Sequence, residues 1–147
     1  MNCSSFQNHR YKKGFIAGTF DVFHVGHQFL LWTAVQKVNH LVIVVARDET
    51  VKRIKNINPL YTELQRVERI NREGIPSSVV RLGRLDQDFL CTIREENPEV
   101  LFLGYDQVNE ISWITSQFPD LEIIRLEPYY PQLFKSSLLY SKNIQIK

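Results

Sequence analysis

Two short runs, KGFIAG at 13–18 and LVIVVA at 41–46, are apolar at nearly every position. Strands buried on both faces of a parallel sheet have this form. Between them Phe29, Leu30, Ala34 and Val38 recur at helical spacing, so the amino-terminal third reads as strand, helix, strand. The alternation continues along the chain. Charged helix formers fill 60–72, β-branched residues mark a strand at 78–82, and 86–95 is helical again. Further strands are expected at 100–103 and 121–126, with a helix at 107–118 between them. Alternating strands and helices imply an α/β protein built on an open parallel sheet with right-handed crossovers.

Breakers separate these elements. Gly74-Ile75-Pro76, Asn97-Pro98 and Phe118-Pro119-Asp120 place proline where it removes an amide donor and biases its predecessor away from helix. Residues 47–59 (RDETVKRIKNINP) are charged and poorly periodic, which predicts a long loop rather than a helix. No repeat, low-complexity tract or linker divides the chain. A single domain at 13–147 behind a flexible tail at 1–12 is the expected organisation, and 147 residues suffice for a core without disulfides or a structural metal.

Charge and cysteine content narrow the classes. Eighteen Lys and Arg against sixteen Asp and Glu leave a formal charge of +2, too balanced to indicate nucleic acid or an anionic membrane as partner. The two cysteines, Cys3 and Cys91, form no C-x-x-C pair, so neither a disulfide framework nor a zinc site is expected. No signal-like or membrane-length apolar segment is seen, and a cytoplasmic location is the expectation.

Against this background one loop stands out: GTFDVFHVGH, 18–27, leaving the first strand. In an open parallel sheet ligands bind outside the carboxyl ends of the strands, where loops run into helix amino termini. Gly26 permits close backbone approach, and His27 falls in the first helical turn, where unpaired amides and the helix dipole favour an anion. His24 and His27, three apart, can face one phosphate and donate to its oxygens as charge builds. His9 and His40 read as ordinary structural histidines. A zinc reading lacks a third ligand, and no site metal is expected. The absence of G-x-G-x-x-G and G-x-x-x-x-G-K-[ST] argues against a dehydrogenase and a P-loop kinase.

The loop resembles the G-x-F-D-x-x-H-x-G-H motif of the cytidylyltransferase-like nucleotidyltransferases. VARDETVKRIK at 45–55, Gln65-Arg66 and LGYDQ at 103–107 are similar to the archaeal-type FAD synthases, which adenylylate FMN. The resemblance runs from about residue 14 to 125. It implies a Rossmann-like open sheet with helices on both faces and transfer of a nucleoside monophosphate from ATP or CTP to a phosphorylated small molecule, FMN favoured. Pyrophosphate leaves, and Mg2+ accompanies the triphosphate. Two alternatives stay open: a CTP-dependent glycerol-phosphate-type cytidylyltransferase, whose R-T-x-G-I-S-T-T is here replaced by Phe134-Lys135-Ser136-Ser137, and a non-catalytic nucleotide-binding module. A homodimer is a further possibility carried by the family.

The resemblance assigns the residues as follows. His24, His27 and Lys55 are the catalytic candidates. Thr19, Phe20, His24, Val25, Gly26 and His27 line the triphosphate. Asp21 orients the loop through backbone hydrogen bonds or sits near a metal. Arg66 forks a phosphate or pairs with a helix carboxylate. Gly104, Asp106 and Gln107 reach the base and ribose, Asp106 being equally able to cap the helix that follows. Lys135, Ser136 and Ser137 meet the triphosphate tail.

Overall fold

The computed structural model describes residues 10–84, 89–104 and 112–128. In chain order the elements are β1 (Tyr11–Gly18), α1 (Val25–Val35), β2 (Val38–Val45), α2 (Asp48–Lys55), α3 (Glu63–Asn71), β3 (Ser78–Leu82), α4 (Phe89–Glu96), β4 (Val100–Leu103), α5 (Ser112–Gln117) and β5 (Glu122–Arg125). All five strands are parallel, in the order β3-β2-β1-β4-β5. This is the Rossmann-like α/β architecture expected from the sequence.

The apolar runs work as predicted because successive side chains of a strand point to opposite faces. Leu41, Ile43 and Val45 of β2 join Ile16 and Phe102 in a core against Leu31, Ala34 and Val35 of α1 and Ile70 of α3. Val42 and Val44, with Phe15, Leu101 and Leu103, pack on the other face against Ile93 of α4 and Ile114 of α5. A continuous apolar run is what two covered faces require. Gly14 lets the central strands close up: a Cβ there would lie 2.7 Å from Val38 Cγ1 and 2.8 Å from the Phe102 ring.

Three boundaries differ from expectation. β1 begins at Tyr11, not Lys13, because Tyr11 pairs with Val38 and packs on the first core, and the Lys12 amide donates to Glu99 at 2.6 Å. Val38, expected on the first helix, instead opens β2. Most consequentially, 47–59 is not all loop. Asp48 and Glu49 sit in the first turn of α2 and Lys52, Arg53 and Lys55 in the last, matching the helix dipole at both ends. Val51, 2 % exposed, anchors that helix to the body, and Asn56 ends it in the left-handed region (φ 59°). The helices predicted at 86–95 and 107–118 are described from Phe89 and Ser112 onward.

The strand order fixes where a ligand can bind. From β1 the chain winds outward to β2 and β3, then crosses to β4 and β5 on the other side. The loops after β1 and β4 therefore leave in opposite directions, and a crevice opens between neighbouring strand ends. GTFDVFHVGH and Gly104 flank that switch point.

Candidate active site

The loop after β1 is held in a strained form. The last ladder contact of β1 is the bond from the Ala46 amide to the Gly18 carbonyl, 2.9 Å. Phe20 (φ 54°) and Val22 (φ 50°) then adopt left-handed backbone, which for a β-branched residue is a true outlier. Such conformations cost on the order of 1–3 kcal/mol each and persist only where surroundings enforce them. Here Phe20 is buried as an anchor, and Asp21 accepts from the amides of Leu60 (2.7 Å) and Tyr61 (3.1 Å). The orienting role foreseen for Asp21 is thus what its carboxylate performs.

The loop ends on a capping box made of two histidines. His24 is the N-cap of α1, its Nδ1 accepting from the Gly26 amide at 3.0 Å, and His27 Nδ1 accepts from the His24 amide at 3.3 Å. A ring nitrogen that accepts carries no proton, so in both neutral imidazoles the proton sits on Nε2. The rings stack on each other with centroids 3.9 Å apart. Phe23 also stacks on His27 (5.3 Å), and Phe20 meets it edge-on. Burial among these rings, reinforced by the repulsion that a second proton on the neighbouring His24 would bring, pushes the His27 pKa down to about 3. His27 is therefore a neutral N–H donor at physiological pH. Both histidines remain half-buried rather than sealed. Phe20 and Phe23 also wall a cavity of about 500 Å³ toward α3, shared with Tyr61, Gln65, Arg69 and Arg72.

Lys55 comes to the same loop from α2. Its Nζ donates to Thr19 Oγ1 at 3.0 Å, bringing a cation to the strand end that precedes the histidine pair. Val25 and Gly26 form the first turn of α1 beside them, and Gly104 follows β4, where its carbonyl accepts from Arg125 at 3.1 Å. Arg66 is placed differently from a phosphate fork. It is 1 % exposed and donates to the carbonyls of Tyr61, Thr19 and Ala46 and to Asp48 at 2.6 Å. The carboxylate partner is the one that heads α2. Asp106, Gln107, Lys135, Ser136 and Ser137 lie outside the described residues.

Several supporting residues were not singled out from sequence. Asp48 and Glu63, each first in its helix, cap one another: the Asp48 amide donates to Glu63 (2.8 Å) and the Glu63 amide to Asp48 (3.2 Å). Acidic residues opening two consecutive helices were the visible signal. Behind His27, the Arg69 guanidinium lies 4.7 Å over the Phe23 ring and bonds Glu73 at 2.6 Å, while Gln28 of α1 donates to both Glu73 oxygens. Burial would push the Glu73 carboxyl up, but the bonds from Gln28 and Arg69 outweigh it and hold it below the usual range. Only the tertiary fold brings Arg69 to Phe23, and no local pattern announces it.

Chemically, the arrangement sets two N–H imidazoles and the amino terminus of α1 beside a lysine at a sheet switch point, an anion site of the kind helix termini provide. The Cytidylyltransferase-like family model matches residues 15–128. The chain belongs to the cytidylyltransferase-like family. Within reach of this family are curated FAD synthases, from Korarchaeum cryptofilum (34 % identical, covering 84 % of this chain and 86 % of that protein) and Methanopyrus kandleri (37 %, covering 80 % and 81 %). Among solved structures, the lipopolysaccharide core biosynthesis protein of Thermoplasma volcanium superposes with a TM-score of 0.73 at 28 % identity, covering 81 % of this chain and 98 % of that one. A bifunctional NMN adenylyltransferase/ADP ribose pyrophosphatase from Francisella tularensis, complexed with AMP and a manganese ion, has a TM-score of 0.61 at 16 % identity, over 90 % of this chain and 41 % of its own, and shares the fold.

Proposed function

We propose that this protein is an FMN adenylyltransferase. A phosphate oxygen of FMN attacks the α-phosphorus of ATP, the new P–O bond joins FMN to AMP as FAD, and the bond to the β-phosphate breaks to release pyrophosphate. The observation that carries this is the stacked, N–H-donating pair His24 and His27 at the switch point, in a chain 31–37 % identical to FAD synthases over most of its length.

Little covalent chemistry is asked of the protein. In phosphoryl transfer, catalysis is alignment plus stabilisation of charge on the phosphoryl oxygens. His24 and His27 donate from Nε2 to those oxygens while their Nδ1 atoms stay fixed on backbone amides, so no reorganisation accompanies the reaction. Lys55, on a flexible stem, exchanges Thr19 Oγ1 for the triphosphate and follows charge toward the leaving pyrophosphate. Thr19, Phe20, Val25 and Gly26 line the triphosphate, and Gly104 leaves room beside the ribose.

Mg2+ enters with the nucleotide. Among the described residues no group of three or more His, Cys, Asp or Glu converges, and both oxygens of Asp21 are committed to backbone amides. An ion carried by the triphosphate would be held by phosphate oxygens and water and would supply charge neutralisation at the leaving group. Incubation with ATP or CTP, Mg2+ and a panel of phosphorylated acceptors, followed by pyrophosphate release, tests the reading. Turnover with ATP and FMN is expected; turnover with CTP and glycerol phosphate alone would move the protein to the cytidylyltransferases, and binding without any product would make it a nucleotide-binding module.

A further inference from the structure

Among the described residues Arg66 is the largest side chain withdrawn from solvent, and its charge needs an explanation. Burying a cation is costly unless its donors are paired, and an apolar side chain of similar size often serves stability as well or better. Four of its five N–H groups are engaged by named partners. Nε donates to Tyr61 O (3.0 Å), one terminal nitrogen to both Thr19 O (2.8 Å) and Ala46 O (2.9 Å), and the other to Asp48 Oδ1 (2.6 Å).

These partners are not scattered. Thr19 and Ala46 each come one residue after the last ladder positions of their strands, Gly18 and Val45. Both residues are half-buried, and a carbonyl there that is shielded from water needs a partner such as Arg66 supplies. Asp48 opens α2, the helix that carries Lys55, and Thr19 is the residue whose hydroxyl Lys55 bonds. Tyr61 lies in the segment whose amides hold Asp21. One guanidinium thus grips both ends of the Lys55–Thr19 contact and the brace of the strained loop.

We propose that Arg66 is a positioning residue: it fixes Thr19 and the head of α2 relative to each other, and so sets the approach of Lys55 to the triphosphate without touching it. Lysine in its place keeps the charge but reaches fewer of the four partners, because a single ammonium cannot span three carbonyls and a carboxylate with a planar fork. The proposal rests on the assignment of Lys55 to the triphosphate.

The test is a double-mutant cycle between Arg66→Lys and Lys55→Ala, read on affinity for Mg·ATP by calorimetry in the absence of FMN and on turnover in its presence. Thermal unfolding of each variant is followed alongside, and all assays are run well below the melting transition. Arg66→Lys is expected to weaken ATP binding or kcat by about tenfold in the parent and by less than about threefold once Lys55 is gone, since residues that act as a unit are not additive. Equal losses in both backgrounds mean either a direct phosphate contact or general structural damage, and overturn the proposal. If Arg66→Lys does not fold, Asp48→Asn replaces it in the cycle: the Asp48 side chain is 43 % exposed, so the variant retains a solvated amide while losing the charge that Arg66 grips. A smaller loss with the same non-additivity is expected. Lys55→Ala that leaves both affinity and turnover intact removes Lys55 from the site and this proposal with it, whereas failure of FMN to react leaves the ATP cycle fully readable and refutes only the acceptor.

Discussion

Lowering the pH from 7 to 5 should destabilise this protein through one ring. His27 has an ordinary pKa of 6.5 in the unfolded chain and about 3 in the folded one, where burial and His24 disfavour its cation. Because the folded-state value is depressed, the unfolded chain binds the extra proton between those limits. The stability that His27 contributes is therefore complete above pH 6.5 and is lost as pH falls toward 3. The slope approaches about 1.4 kcal/mol per pH unit, so the step from pH 7 to 5 removes about 2 kcal/mol. The geometry says why protonation is resisted: a proton on Nδ1 would face the His24 amide that now donates to it, and the ring is packed against Phe23 and His24. Urea unfolding at a series of pH values, in the parent and in His27→Asn, isolates the ring. Asn offers an oxygen near the Nδ1 position and does not titrate. The parent is expected to lose about 2 kcal/mol more than the variant between pH 7 and 5. Parallel losses in the two proteins would refute both the depressed pKa and the neutral-donor account built on it.

Other outcomes follow from the same geometry. His24→Ala and His27→Ala should each lower turnover roughly a hundredfold, the order lost with one preorganised donor, while circular dichroism remains that of the parent. Val22→Gly removes the cost of a β-branched residue at φ 50° and should raise stability by about 1 kcal/mol in urea unfolding, while the slackened loop lowers kcat. Arg69→Ala withdraws the cation from the Phe23 ring and breaks the bond to Glu73, and should lower the melting temperature and raise the apparent pKa of Glu73 followed by carbon NMR.

The fold was legible because each of its signals is local. Apolar runs such as 41–46 carry period-two burial on both faces, and prolines end elements for steric reasons that need no tertiary context. The loop at 18–27 stood out for the same reason: strand, turn, glycine and two histidines lie within ten residues. α2 was missed because its helical character rests on charge placement against the dipole and a single buried apolar residue, Val51, rather than on an apolar stripe. Arg66 shows a different limit. From TELQRVERI alone a phosphate fork and a carboxylate partner are equally good uses of a guanidinium, and the three carbonyls and the Asp48 carboxylate that it bonds come together only in the fold. The contact of Arg69 with Phe23, 46 residues apart in sequence, depends wholly on the packing of α3 against the loop.

The central claim is that the stacked imidazoles hold polyphosphate through Nε2 while Nδ1 stays bonded to the backbone. Nitrogen NMR of the histidine rings, titrated with Mg·ATP at pH 7, reads both atoms at once. The account predicts that the Nε2–H signals of His24 and His27 move together as ATP saturates, with both Nδ1 signals remaining those of unprotonated acceptors. Rings whose nitrogens do not respond to saturating ATP, or a tautomer that places the proton on Nδ1, would contradict it.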